Sequence, residues 1–226
     1  MTTLVLAAHP DDEVLGCGGT IAKLAQAGHD VHVAILGEGL TSRKPGRDET
    51  DANEIEALAR TTEEVGTLLG AKAVHRFALP DNRFDQLPLL DIVKLIERLI
   101  DQTRPTQIFT QHGGDLNIDH AITFRSTMTA TRPMAGRPVR AVYAYEVASS
   151  SEWAFQKFKP VFEPNCFVDV SDTIDLKIQA MEHYETESRA FPHPRSPKAL
   201  KAIAQKWGST VGLHAAEAFQ QVWRII

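Results

Sequence analysis

The sequence predicts an α/β fold built on a doubly wound, mostly parallel sheet, and two observations carry that reading. Short apolar runs alternate with amphipathic helical stretches along most of the chain, which implies parallel strands joined by right-handed crossovers. The first of these runs, Leu4 to Ala8, is apolar without alternation, the signature of a strand buried on both faces. The most economical arrangement is a Rossmann-like sheet of order 3-2-1-4-5, with additional C-terminal strands and helices on both sides. All 226 residues are expected to form one domain, since the chain shows no internal repeat, low-complexity tract or convincing linker.

After strand 1, Val14-Leu15 and Ile21 to Ala25 continue a helix that stops at Gly28, a residue suited to a helix C-terminus. His29 to Leu36 returns as strand 2, and Gly37 to Asp48 reads as a long polar loop. Glu49 to Leu69 is helical up to Gly70, and Ala73 to Phe77 is strand 3. Pro88 opens a helix whose apolar face includes Leu89, Ile92, Val93, Ile96 and Leu99, and Gln107 to Thr110 is strand 4. Helix from about Ile118 to Arg132 and a turn at Arg132 to Pro138 precede strand 5, Val139 to Val147, which alternates. Phe167 to Val170 reads as a further strand, with a helix through Leu176, Met181 and Tyr184 behind it. The proline-rich stretch Phe191 to Pro197 must be a loop, and a helix over Lys198 to Trp207 and a strand near Phe219 to Ile225 complete the chain.

Composition narrows the function classes. A formal charge of -5 gives no global attraction to nucleic acid, and macromolecular polyanions are not expected as partners. No stretch is apolar over the ~18 residues of a membrane span, and the N-terminus lacks the pattern of a secretory leader, so the expected location is cytoplasmic. Two cysteines, Cys17 and Cys166, make neither a disulfide framework nor a cysteine metal cluster.

Strand 1 ends abruptly on His9-Pro10-Asp11-Asp12-Glu13. Pro10 suits the first turn of a helix, and the three acids then sit at its positive end. His9 and Asp12 are three apart across this turn, so their side chains can converge, offering the nitrogen and oxygen that Zn²⁺ accepts. Capping of the helix by the acids is the competing reading. Strand 4 ends on Gln111-His112-Gly113-Gly114-Asp115-Leu116-Asn117-Ile118-Asp119-His120. The 3-2-1-4-5 order makes strands 1 and 4 neighbours and puts both loops at the reversal point where such sheets bind ligands. His9, Asp12 and His120 then form a set of three ligands, the number a catalytic zinc site uses beside an open position. Asp119 is a candidate for orienting a ligand from behind.

The two segments together resemble the LmbE-like family of zinc N-deacetylases, which includes the N-acetylglucosaminyl-phosphatidylinositol de-N-acetylases and the deacetylases of mycothiol and bacillithiol synthesis. The resemblance extends through Leu79-Pro80-Asp81-Asn82-Arg83 and Pro192-His193-Pro194-Arg195-Ser196. It implies that His9, Asp12 and His120 bind Zn²⁺, with another divalent ion such as Fe²⁺ as an alternative, and that Asp11 is the general base. The implied reaction removes an N-acetyl group from an N-acetylglucosamine-type sugar or conjugate. Many family members carry a histidine where this chain has Asn117. Asn117 can donate a neutral hydrogen bond to a developing oxyanion but brings no positive charge, and His193 is the candidate to replace that charge.

Arg83, Glu152, Trp153 and Arg195 fall in irregular segments able to reach over the strand ends, and are the candidate substrate contacts. The expected partner is therefore a small N-acetylated sugar, with homo-oligomerisation left open. Val14-Leu15-Gly16-Cys17-Gly18-Gly19 superficially matches the glycine turn of an S-adenosylmethionine-dependent methyltransferase, but these glycines fall inside the helix and fit close helix–sheet packing better. A non-catalytic protein that binds metal or sugar is the other alternative.

Overall fold

The structure, a computed structural model, describes residues 1–41 and 51–226. The expected loop from Gly37 to Asp48 and the start of the following helix lie partly outside these residues. The described residues form β1 (Thr2–Ala7), α1 (Asp12–Gln26), β2 (Asp30–Gly37), α2 (Ala52–Leu68), β3 (Ala73–Leu79), α3 (Leu89–Thr103) and β4 (Gln107–Gln111). They continue with α4 (Ile118–Ala130), β5 (Ala141–Tyr145), β6 (Cys166–Asp169), α5 (Ile174–His183), α6 (Pro197–Thr210) and β7 (Ala216–Arg224).

All seven strands share one sheet of order β3-β2-β1-β4-β5-β7-β6. The five from β3 to β5 are parallel, as expected, while β7 runs antiparallel to both β5 and β6. Val5 and Ala7 of β1 join α1, α2, α5 and α6 in one core, and Leu4 and Leu6 join α3 in the other. This two-sided burial is why the run carries no polar alternation.

Strand 5 departs from expectation. It is shorter than Val139 to Val147, and all five of its residues are buried. Its apparent alternation does not separate core from solvent: Tyr143 stacks on Phe109 on one face, while Val142 belongs to the opposite core. With β4 and β7 on its flanks and helices on both faces, no side of it meets water.

The glycines of α1 are packing sites. A Cβ at Gly16 would overlap the Tyr145 ring, and one at Gly19 would lie 2.8 Å from Val170. A buried ion pair is bonded into the same helix. Glu217 of β7 accepts from the N–H groups of Gly19 at 3.0 Å and Thr20 at 2.7 Å. Lys177 of α5 donates to Glu217 at 2.6 Å and to the Leu15 carbonyl at 2.8 Å. These bonds tie α1 to the C-terminal third of the chain and so fix the helix whose first turn carries the acids.

Candidate active site

The turn between β1 and α1 differs from the sequence reading in one respect. Pro10 lies ahead of the helix rather than in its first turn, because α1 starts only at Asp12. Asp11 occupies the N-cap position with φ 106° and ψ −29°, a backbone conformation disfavoured for a residue with a Cβ. Its side chain makes no capping bond. Glu13, itself buried, reaches back instead: its Oε2 accepts the Asp11 N–H at 3.0 Å and its Oε1 accepts from the Tyr184 hydroxyl at 2.6 Å. The strained turn sends Asp11 and Asp12 in different directions.

Asp12 points at the two histidines. Its Oδ2 lies 3.5 Å from His9 Nδ1 and 3.2 Å from His120 Nε2. The same oxygen accepts the His9 backbone N–H at 2.9 Å and the side-chain amide of Gln111 at 3.0 Å. One donor atom from each of His9, Asp12 and His120 lies within 4.8 Å of the others. A second group, His9, Asp81 and Asp119, meets the same distance condition. There, however, both carboxylates face the other ring nitrogen: Asp119 Oδ2 is 3.0 Å and Asp81 Oδ1 3.2 Å from His9 Nε2. An ionised carboxylate only accepts, so when His9 is neutral these two contacts favour the ring proton on Nε2, and Nδ1, on the Asp12 side, is the nitrogen open to a metal. Asp119 is held in turn by the Phe84 backbone N–H, which its Oδ1 accepts at 2.9 Å.

His120 is arranged the same way. Its Nε2 faces Asp12, and its Nδ1 lies 3.3 Å from Asp115 Oδ2, within ion-pair range but outside good hydrogen-bond alignment. Each imidazole thus presents one nitrogen to the cluster and the other to a carboxylate behind it. Charge follows geometry. Burial works to lower the pKa of His9, but Asp119, Asp12 and Asp81 outweigh it and push it up to about 10. His120 likewise rises to about 9 against burial, through Asp12 and Asp115. For Asp12, burial favours the neutral acid, yet the two histidines prevail and hold it well below the usual carboxylate range.

Asp11 has the opposite environment. Burial raises it well above the ordinary aspartate value, opposed by Arg195 and reinforced by Asp12, Glu187 and Glu13. Arg195 Nη1 donates to Asp11 Oδ2 at 2.6 Å and to Glu187 Oε2 at 2.8 Å, while its Nε donates to Ser149 Oγ at 2.7 Å. Two adjacent, chemically identical acids therefore sit in separate networks.

A cleft of about 540 Å³ opens over these groups. Arg195, Trp153 and Asn117 line it, but Arg83, Glu152 and His193 do not. Arg83 is exposed at the turn preceding Phe84. Glu152 is turned back onto its own loop, accepting the Ser149 N–H at 2.7 Å. His193 accepts the Arg195 backbone N–H through Nδ1 and meets the edge of Trp153 at 5.5 Å between ring centres, so it acts on the walls of the cleft rather than inside it. Asn117 is the N-cap of α4: its Oδ1 accepts the Asp119 N–H at 2.9 Å, and its Nδ2 donates to Asn82 at 3.0 Å. Arg195 lines the cleft and also grips Asp11, a contact the sequence did not suggest. Gln111, Asp115, Glu13 and Glu187 were absent from the sequence-derived set. Three of them carried a signal: Gln111 as a polar residue closing an apolar strand, Asp115 as an acid five places before His120, and Glu13 as the third acid after strand 1, while Glu187 carried none.

A mostly parallel α/β sheet with two histidines and an aspartate converging at its reversal point defines a class: α/β proteins with a metal-binding type of cluster at the strand ends. Within that class, residues 4–131 match the family described as GlcNAc-PI de-N-acetylase, which is more than half of the chain, and the chain belongs to that family. Diacetylchitobiose deacetylase of Thermococcus kodakarensis is 28% identical over 237 residues, covering 97% of this chain and 82% of the relative. The solved structure of N,N'-diacetylchitobiose deacetylase from Pyrococcus horikoshii superposes with a TM-score of 0.76 at 20% identity, covering 98% of this chain and 83% of that one. GalB, the 4-carboxy-2-hydroxymuconate hydratase from Pseudomonas putida KT2440, also gives a TM-score of 0.76, at 21% identity over 100% of this chain and 97% of its own. Likeness at that level shows a common fold, and a fold shared with a hydratase does not choose the reaction. Among the described residues, no helix is long and apolar enough to cross a membrane.

Proposed function

We propose that this chain is a zinc-dependent hydrolase that removes the N-acetyl group from an N-acetylglucosamine-type sugar or its conjugate. The observation that carries the reading is the orientation of the two imidazoles, each with a carboxylate behind it and its remaining nitrogen turned to Asp12. Two neutral ring nitrogens and one carboxylate oxygen are donors that zinc accepts, and carboxylates behind ligating histidines are the usual support of such sites. When bound, zinc supplies Lewis acidity, polarising the acetamide carbonyl and lowering the pKa of water to near neutrality. The deacetylases among the relatives support the choice of amide hydrolysis over hydration.

The residues divide the remaining work. Asp11, beside the cluster and outside it, accepts a proton from the attacking water and returns it to the departing amine. Arg195 fixes the Asp11 carboxylate through Oδ2 and places a permanent positive charge on the cleft wall. That charge stands where Asn117, engaged in capping α4, supplies none. Trp153, with an exposed ring on the cleft wall, offers a stacking surface for the sugar. The overall change consumes one water and releases acetate and the free amine.

The test is release of acetate from N,N'-diacetylchitobiose or N-acetylglucosamine by the zinc-loaded protein, compared with the His120→Ala variant. Wild type is expected to turn over, whereas His120→Ala should stay folded and hold less than one zinc per chain. Full zinc retention in that variant removes His120 from the ligand set. Arg195→Ala is expected to keep its zinc but to lower kcat as well as raise KM, because it frees the Asp11 carboxylate; a change in KM alone would return Arg195 to simple substrate contact.

Metal uptake should also depend steeply on pH. Zinc needs neutral imidazoles, while His9 near 10 and His120 near 9 are protonated in the metal-free protein at neutral pH. Binding must then expel protons, so affinity rises as pH increases through the window from 7 to 9, by up to ~100-fold per unit if two leave together. Chelator competition at pH 7 and pH 8 measures it. Two unperturbed histidines, which lose their protons near 6.5, would give almost no change over that interval.

A further inference from the structure

The carboxylates behind the two histidines are anchored differently. Asp119, behind His9, is held by a backbone N–H of the scaffold, that of Phe84. Asp115, behind His120, is held by hydroxyls of the β5–β6 loop. Its Oδ1 accepts the Ser150 hydroxyl in a short contact and the Asn117 backbone N–H at 3.0 Å. Its Oδ2, the oxygen facing His120, accepts the Ser151 hydroxyl at 2.6 Å. The Ser151 oxygen also accepts the Val147 N–H at 2.8 Å, so the hydroxyl is itself oriented by the loop backbone. Ser150 is 6% exposed and Asp115 4%, which excludes water as an easy substitute partner. The next serine in the row, Ser149, turns the other way and accepts from Arg195. Ser149 and Ser150 both line the cleft.

We propose that Ser150 and Ser151 are positioning residues for the metal site: through Asp115 they hold the His120 ring with Nε2 facing Asp12, and so tie metal affinity to the loop that walls the cleft. The inference rests on the zinc reading above. Without the two hydroxyls Asp115 keeps the Asn117 N–H, but loses both donors that set the angle of its carboxylate plane. The carboxylate that faces His120 Nδ1 at 3.3 Å is then no longer fixed in place, and the ring can rotate away from Asp12 at little cost. His9 has no such dependence.

The experiment titrates Zn²⁺ into metal-free protein against a chromogenic chelator, for wild type, Ser150→Ala/Ser151→Ala and Ser149→Ala. The double variant is expected to bind zinc 10–100-fold more weakly, the usual effect of losing support behind a ligand. Ser149→Ala removes the same hydroxyl from the same loop and should stay within about two-fold of wild type, because its partner is Arg195 and not Asp115. The visible spectrum of the Co²⁺-loaded protein, which follows ligand geometry, should change in the double variant alone. Should the double variant fail to fold, Ser151→Ala at its half-buried position tests the same direction. Zinc affinity within two-fold of wild type in the folded variant overturns the inference, as does an equal loss in Ser149→Ala, which would mean general loosening of the loop. A wild type that takes up no zinc overturns the proposed function as well; a wild type that loads normally beside unaffected variants overturns this inference alone.

Discussion

Glu217→Ala is expected to destabilise the protein by about 3–5 kcal/mol, the typical result of removing one partner from a buried ion pair. Three donors converge on this carboxylate: the N–H groups of Gly19 and Thr20, and the Lys177 ammonium. Glu217 is 4% exposed and Lys177 6%, so water cannot replace the lost acceptor without opening the packing between α1, α5 and β7. Such a loss is a large share of the ~5–15 kcal/mol that holds a domain folded. Urea unfolding followed by circular dichroism measures it. The control is Lys177→Met combined with Glu217→Gln, which removes both charges but keeps an oxygen beside the Gly19 and Thr20 N–H groups, and should recover part of the loss. A cost under about 1 kcal/mol for Glu217→Ala alone would mean that the pair is solvated and that α1 is held by its apolar face and its close glycine contacts.

This pair also marks where the sequence stopped being legible. The strand order from β3 to β5 could be read because each step is local: an apolar run, a crossover of the required length, and a fixed handedness. Likewise His9, Asp12 and His120 could be grouped because each sits on a loop that directly leaves a central strand, and the reversal rule makes those loops neighbours. Contacts that close the site from afar obey no such rule. Arg195 meets Asp11, and Ser150 meets Asp115, only because the loops after β5 and α5 fold over the strand ends, and an irregular segment has no periodicity from which to read its direction. Glu217 was equally hidden, since the last strand was expected only from about Phe219 and an acid just ahead of it looks like a solvent-facing residue until a lysine from α5 is found beside it. The glycines of α1 were readable in kind, as sites of close packing, while their partners Tyr145 and Val170 were not.

The largest expected effect on activity belongs to Asp11. Asp11→Asn keeps the shape of the side chain and removes the oxygen that can hold a proton, so kcat should fall by about 10²–10⁴, the usual contribution of general acid–base catalysis. Zinc content and KM should change little, because Asp11 is paired with Arg195 rather than with the two histidines. Asp12→Asn is the paired experiment. The Asp12 oxygen faces His9, His120 and Gln111 at once, so exchanging carboxylate for amide should cost metal affinity first, and added zinc should restore part of the activity. Neighbouring residues of identical chemistry make the comparison demanding, since any general effect of removing a negative charge from this buried turn falls on both variants alike. Their difference therefore reports only where each side chain points. That direction is set by the left-handed backbone of Asp11, which Glu13 holds through the Asp11 N–H. Zinc lost from Asp11→Asn and kept by Asp12→Asn would show that the two carboxylates exchange roles once the metal is present.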